Sequence, residues 1–185
     1  MDDDIKIFNA KPKNDTLDSI ALIEEMNTQR MNGNTEKAKQ LGKYLAERFL
    51  DSAELRRSLE EEIGTLDYPP KIILQIKILV FFTAEYCINR LLPNTLLKST
   101  ATNTIYDRVM KNAGEFYKEF SDGVEYSFYY LAVKKEDVLK AVGKTFAMIC
   151  RKEDDETYKK LGSDIFRVVS KEVQSIIEGY NFITE

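Results

Sequence analysis

The sequence contains no histidine, and that absence removes more chemistry than any motif supplies. A Ser-His-Asp or Cys-His nucleophile system needs an imidazole that titrates near neutrality and passes a proton in both directions. No position can provide it. Carboxylate-bridged di-iron bundles take His from Glu-x-x-His, zincins take it from His-Glu-x-x-His, and haem proteins commonly use it as an axial ligand, so these sites lose their usual ligands. A phosphohistidine relay is excluded for the same reason. Cysteine is scarce: Cys87 and Cys150 are the two present. They have no Cys-x-x-Cys spacing, which leaves a zinc knuckle, an iron-sulfur site or a thioredoxin-like pair without support. Each sits among apolar residues at helical spacing and reads as a buried free thiol, with a reactive thiol as the alternative. A reducing, cytoplasmic compartment is expected.

Glycine and proline are also few, at eight and four, while apolar residues make up 43% and charged residues 31%. That balance excludes disorder, collagen-like repeats and a disulfide-dense scaffold. Twenty-seven basic residues against 31 acidic ones give a net charge of −4, so the chain as a whole has no electrostatic pull toward nucleic acid or an anionic membrane. The start, Met1-Asp2-Asp3-Asp4, lacks the basic residues and apolar stretch of a secretory signal. Residues 72–92 are apolar enough to cross a bilayer, but Lys77, Glu85, Asn89 and Arg90 would be costly in lipid. A core helix is the expectation, with neither membrane nor nucleic acid as partner.

A chain of 185 residues can bury a full core as one domain. The pattern predicts an N-terminal arm over 1–15 and a single helical domain over 16–185. Leu17, Ile20, Ile23 and Met26 fall at helical spacing behind a cap at Asp15 or Thr16. Asn32-Gly33-Asn34 then tolerates positive φ where a helix must stop, and Thr35 is the expected cap of the next. From 35 to 63, Leu41, Leu45, Phe49, Ala53, Leu59 and Ile63 hold one arc, which favours one long helix. Asp51 with Glu54 nonetheless resembles a capping box that would allow a restart. The stretch 70–92 is rich in strand-favouring Ile and Val, yet its length and its polar stripe of Lys71, Gln75, Glu85 and Asn89 decide for a central helix. Its uncharged run Ile78-Leu79-Val80-Phe81-Phe82 is the aggregation hazard if exposed. Later helices are expected through Ile105 to Phe120, across 124–133 behind an Asp122/Glu125 cap, through Val138 to Ile149, and from the acidic Glu153–Glu156 group to Gly179. The fold class is therefore all-α, a single-domain bundle of six or seven helices around the apolar helix at about 70–92.

Four residues stand out as candidate ligand-binding groups. Lys77 lies among Ile73, Val80 and Phe81, away from the polar stripe of its own helix. A desolvated amine has a lowered pKa and can serve as a base or an imine-forming nucleophile. The structural alternative is a stem that packs while the ammonium snorkels or meets a carboxylate. Tyr126, Tyr129 and Tyr130 cannot all face one core, so at least one should meet solvent, a partner or a cavity. Glu60-Glu61-Glu62 diverge around a helix and pair locally with Arg56 and Arg57, so no metal site is expected there. Lys140 and Lys144 share a face and could meet an acidic partner. Catalytic residues, metals and cofactors are not indicated. The leading expectation is a non-catalytic cytoplasmic helical module that binds a protein partner or itself. The alternatives are a small-molecule sensor or carrier with an inter-helix pocket near the tyrosines, and last a His-free enzyme using Lys77.

Overall fold

The computed structural model describes residues 15–184. Among these residues there are nine helices and no strand: α1 (Asp15–Met31), α2 (Asn34–Leu50), α3 (Ser52–Ile63), α4 (Pro70–Leu91), α5 (Thr95–Asn112), α6 (Glu115–Asp122), α7 (Glu125–Ala132), α8 (Val138–Ile149) and α9 (Glu156–Gly179). The fold is the expected all-α bundle. The expected arm over 1–15 lies outside the described residues except for Asp15, which opens α1.

The apolar middle of the chain is one helix. Pro70 occupies the first turn of α4, where its missing N–H costs nothing. The carbonyl of Pro69 accepts from Ile72 and Ile73. Ile76, Leu79, Val80, Phe81, Phe82, Ala84 and Ile88 are all buried, with α2, α5, α7, α8 and α9 packed around them. By length and composition α4 could cross a membrane, but most of it is buried inside the bundle. Its polar stripe is partly covered too. Gln75 donates to Glu125 at 3.2 Å, and Glu85 accepts from tyrosines of α5 and α7.

Two long helices expected from the pattern are each split. At Asp51 the carboxylate accepts from the backbone N–H groups of Ala53 and Glu54, both at 3.0 Å, which makes it a true N-cap. The apolar phase shifts there: Ala53 is exposed, and Leu55 and Leu59 become the buried positions of α3. The second break falls after α5, where Gly114 takes a positive φ of 54° and separates Ile105 and Val109 from Phe116 and Phe120. Local caps also differ from expectation. Gly33, at φ 80°, is the N-cap of α2, so Thr35 lies inside the helix. Asn94 caps α5 through Leu97 N–H at 2.9 Å. Val124 holds the N-cap position of α7, and Asp122 is the last residue of α6. Asp155 caps α9 through Thr157 N–H, as its acidic group suggested.

Asn34 is fully buried for a long-range reason. Its amide nitrogen donates to Gln29 Oε1 at 2.7 Å and to Ile183 O at 2.8 Å, while its Oδ1 accepts from Ile183 N at 3.0 Å. The side chain thus pairs with backbone as a strand neighbour would and fastens the C-terminal segment to the α1–α2 turn. Lys37 adds a bond to Asn181 O at 2.7 Å. Two close helix approaches are made at glycines. A Cβ on Gly143 would lie 2.3 Å from Lys159 O across the α8–α9 contact, and one on Gly42 would lie 2.4 Å from Ala101 O across α2–α5.

Candidate functional site

The outer wall of the site is α3, which packs on α2 and α9 and leaves a cleft beside the first half of α4. Arg48 of α2 fixes that wall, its guanidinium donating to Glu54 of α3 at 2.5 Å and to Glu172 of α9. At the end of α3, Glu60 accepts from Arg56 Nε at 2.9 Å and from Leu66 N–H at 2.8 Å. The Leu66 bond, followed by the Arg56 contact, holds its carboxyl below the ordinary carboxylate value. Glu60 therefore works as a clasp for the α3–α4 connection, the expected Arg56 pair included.

The resulting cavity has a volume of about 470 Å³ and is lined by Leu55 and Leu59 of α3, Leu66 of the connection, Ile73, Leu74 and Ile76 of α4, and Phe116 of α6, with Ser52, Arg56 and Lys77 as its polar members. That size and character are those of small-molecule sites, largely apolar with a few placed polar groups. Ile73 remains exposed in it although it belongs to the most apolar helix of the chain.

Lys77 is the cationic end of this cleft. Its ammonium donates to Ser52 Oγ at 3.0 Å and to Leu50 O at 3.4 Å, and it lies 5.1 Å from the centre of the Phe116 ring. Leu50 is the last residue of α2, so the lysine sits at a helix C-terminus, where carbonyl groups and the dipole favour a cation. No carboxylate of the described residues lies within ion-pair distance of it. Burial lowers its pKa from the ordinary lysine value, and the charge of Asp51 works against that shift. Of the two structural expectations, neither a free snorkelling head nor a carboxylate pair describes it. It is a half-buried helix cap beside an apolar cavity.

The three tyrosines do not line this cleft. Tyr130 of α7 and Tyr106 of α5 donate to the two oxygens of Glu85, the second at 2.7 Å. Tyr106 has then spent its proton, so the Tyr126 hydroxyl, hydrogen-bonded to it, is the donor in that contact. Burial first, and then Glu85 through its charge and its hydrogen bond, raises Tyr106 and Tyr130 above the ordinary phenol value. Burial also raises Tyr126 and Tyr129. Around this network Phe82 and Phe120 pack edge-on against Tyr126 at 5.4 and 5.1 Å. At neutral pH the phenols are donors to a carboxylate, an arrangement that ties α5 and α7 to α4.

Tyr129 is apart from its neighbours. It is fully buried, and its hydroxyl has no hydrogen-bond partner among the described residues. Tyr130 is 39% exposed, so the argument that these tyrosines must face different ways holds, but they do not join Lys77 in one pocket. Phe116 and Phe120 lie between the two places, at 5.5 Å from each other. Residues not singled out by the pattern are Ser52 and Leu66 at the cleft. Glu85, a carboxylate midway along an apolar helix, is the available signal for the tyrosine network.

Both cysteines are free and buried. Burial raises the Cys87 thiol and pushes Cys150 up to about 12, which keeps them as thiols rather than thiolates. Among the described residues no group of three or more Cys, Asp or Glu side chains is placed to hold a metal ion. Comparison of the chain with protein-family models, with curated proteins and with solved structures finds no significant match.

Proposed function

We propose that this protein is a non-catalytic, cytoplasmic binding module whose α3–α4 cleft takes a small amphiphile with an apolar body and an anionic end, such as a medium-chain carboxylate. The observation that carries this reading is the unpaired ammonium of Lys77 at the end of an apolar cavity of about 470 Å³. Two of its three protons are directed at neutral oxygens. A carboxylate arriving there exchanges a desolvated lone cation for an ion pair in a half-buried site, where such contacts are stronger than in water. The apolar wall supplies the remaining affinity by area.

Calorimetric titration with hexanoate, octanoate and decanoate tests it. Affinity should rise by about fourfold per added methylene until the cleft is filled. Octanoate should bind more tightly than octanol, and Lys77→Met should abolish that preference while leaving octanol binding intact. Absence of carboxylate binding, or equal binding of acid and alcohol by the unaltered protein, sinks the proposal.

A second reading, self-association, is supported by α1, on which Ile20, Leu22, Ile23 and Met26 are all exposed. Sedimentation equilibrium should then show a dimer that Ile23→Asp dissociates, and a monomer at every concentration removes this reading.

A further inference from the structure

We infer that the groove between α7 and α8 is a docking surface for an acidic amphipathic helix of a partner protein. This goes beyond the cleft reading and uses none of its residues. The groove, about 420 Å³ in volume, has Phe128 and Leu131 of α7 on its apolar side and Lys135, Lys140 and Lys144 on its rim. Phe128 and Leu131 are large apolar residues left exposed, and three-residue spacing puts them on one helix face. Such a pair gives the groove an apolar side against which the anchor residues of a docked amphipathic helix can be buried.

Charge selects the partner. None of the three lysines has a carboxylate within ion-pair distance among the described residues, although the neighbouring Lys159 and Lys160 are paired with Glu156 and Asp164. The one acid in the groove, Asp137, is committed to capping α8 through the Lys140 N–H at 3.0 Å. Three lysines against that one carboxylate leave a net positive rim around an apolar floor, on a chain whose net charge is −4. A bare polyanion would satisfy the lysines and leave Phe128 and Leu131 in water, and an uncharged apolar helix would do the reverse. A helix with an apolar stripe flanked by Asp or Glu satisfies both.

The test uses the full chain and a short fluorescein-labelled amphipathic peptide of Glu, Leu and Ala with leucines at helical spacing. Its controls are the Lys-for-Glu counterpart, a scrambled peptide of the same composition and a single-stranded oligonucleotide. Fluorescence anisotropy should show binding of the acidic amphipathic peptide alone. Lys140→Glu with Lys144→Glu should weaken it by about tenfold or more, Leu131→Ser should weaken it independently, and Lys140→Arg with Lys144→Arg should retain it, with circular dichroism unchanged in each. Equal binding of the scrambled peptide or the oligonucleotide overturns the inference. So does binding indifferent to all of these substitutions, or a dimer in sedimentation that Leu131→Ser dissociates, which would assign the face to a second copy of the chain.

Discussion

Raising the pH through 10 should unfold this protein cooperatively, because the buried tyrosines of α5 and α7 are held in their neutral form by the fold. The pKa values of Tyr106, Tyr126 and Tyr129 are raised above 10 chiefly by burial. In the unfolded chain these phenols ionise near pH 10, whereas in the fold they keep their protons. Above pH 10 the unfolded state therefore binds fewer protons than the native state, and stability falls as pH rises. Each such group contributes a slope of about 1.4 kcal/mol per pH unit, so the three together give about 4 kcal/mol per unit. Tyr130, being partly exposed, is left out of the sum. Cys150, pushed up to about 12, acts in the same direction above the ordinary thiol value. Lys77 acts oppositely: its lowered pKa means that stability rises as pH climbs from its native value to 10.5, after which it adds nothing. Against a total stability of about 5–15 kcal/mol, the fold should be lost within roughly one to four pH units above 10. Helicity by circular dichroism and tyrosinate absorbance should be followed together. The exposed members of the ten tyrosines should ionise first, and the buried ones should appear in the same narrow interval in which helicity is lost. Tyr126→Phe should make the decline shallower by about 1.4 kcal/mol per unit. A single smooth ionisation of all tyrosines near pH 10 with helicity intact would refute the reasoning.

Asn34→Ala removes three hydrogen bonds worth about 0.5–1.5 kcal/mol each, so chemical denaturation should report a loss of about 2–4 kcal/mol. That loss should shrink markedly in a chain lacking residues 181–185, and an unchanged loss there would show that the clasp on Ile183 is not its source. Gly143→Ala places a methyl group against the Lys159 carbonyl. Overpacking of about 1–3 kcal/mol should outweigh a gain in helix propensity of up to about 1 kcal/mol. At Gly179, where no atom lies within 4 Å of an added Cβ, Ala should be neutral or stabilising, and thermal melts that fail to separate the two variants would contradict the packing argument. Lys77→Met should change stability by no more than about 1 kcal/mol, because two bonds to neutral oxygens are lost while a buried cation is removed. A loss of about 3–5 kcal/mol would instead reveal a charge pair.

The bundle was legible in the sequence where one signal was long and undiluted. α4 has 22 residues with no turn former between Pro70 and Asn89, and that length outweighs the strand propensity of its Ile and Val residues. Boundaries were harder where two local signals competed. At Asp51 the cap competes with an apolar arc that continues across it, and a distant group adds to the cap: Lys77, 27 residues from Leu50, donates to the Leu50 carbonyl that ends α2. Asn34 has the local pattern of a turn residue, and its partner Ile183, 149 positions off, lies beyond any such pattern. Lys77 stands out as an anomaly by its apolar neighbours, but Ser52 and Phe116 reach it, and Leu66 joins it in lining the cleft, only through folding. The tyrosines were correctly read as diverging, with Tyr129 inside and Tyr130 at the edge. Helical spacing fixes faces on one helix and not distances between two, so the separation of the tyrosines from the Lys77 cleft is not written in the local pattern.

The proposed role of the cleft is tested most directly by a crystal structure of the protein grown with octanoate. The account requires the carboxylate within hydrogen-bond reach of Lys77 Nζ and the chain running between Leu59 and Ile73. A structure with the ligand seated elsewhere, or with the side chains of α3 and α4 closed upon each other, would contradict it.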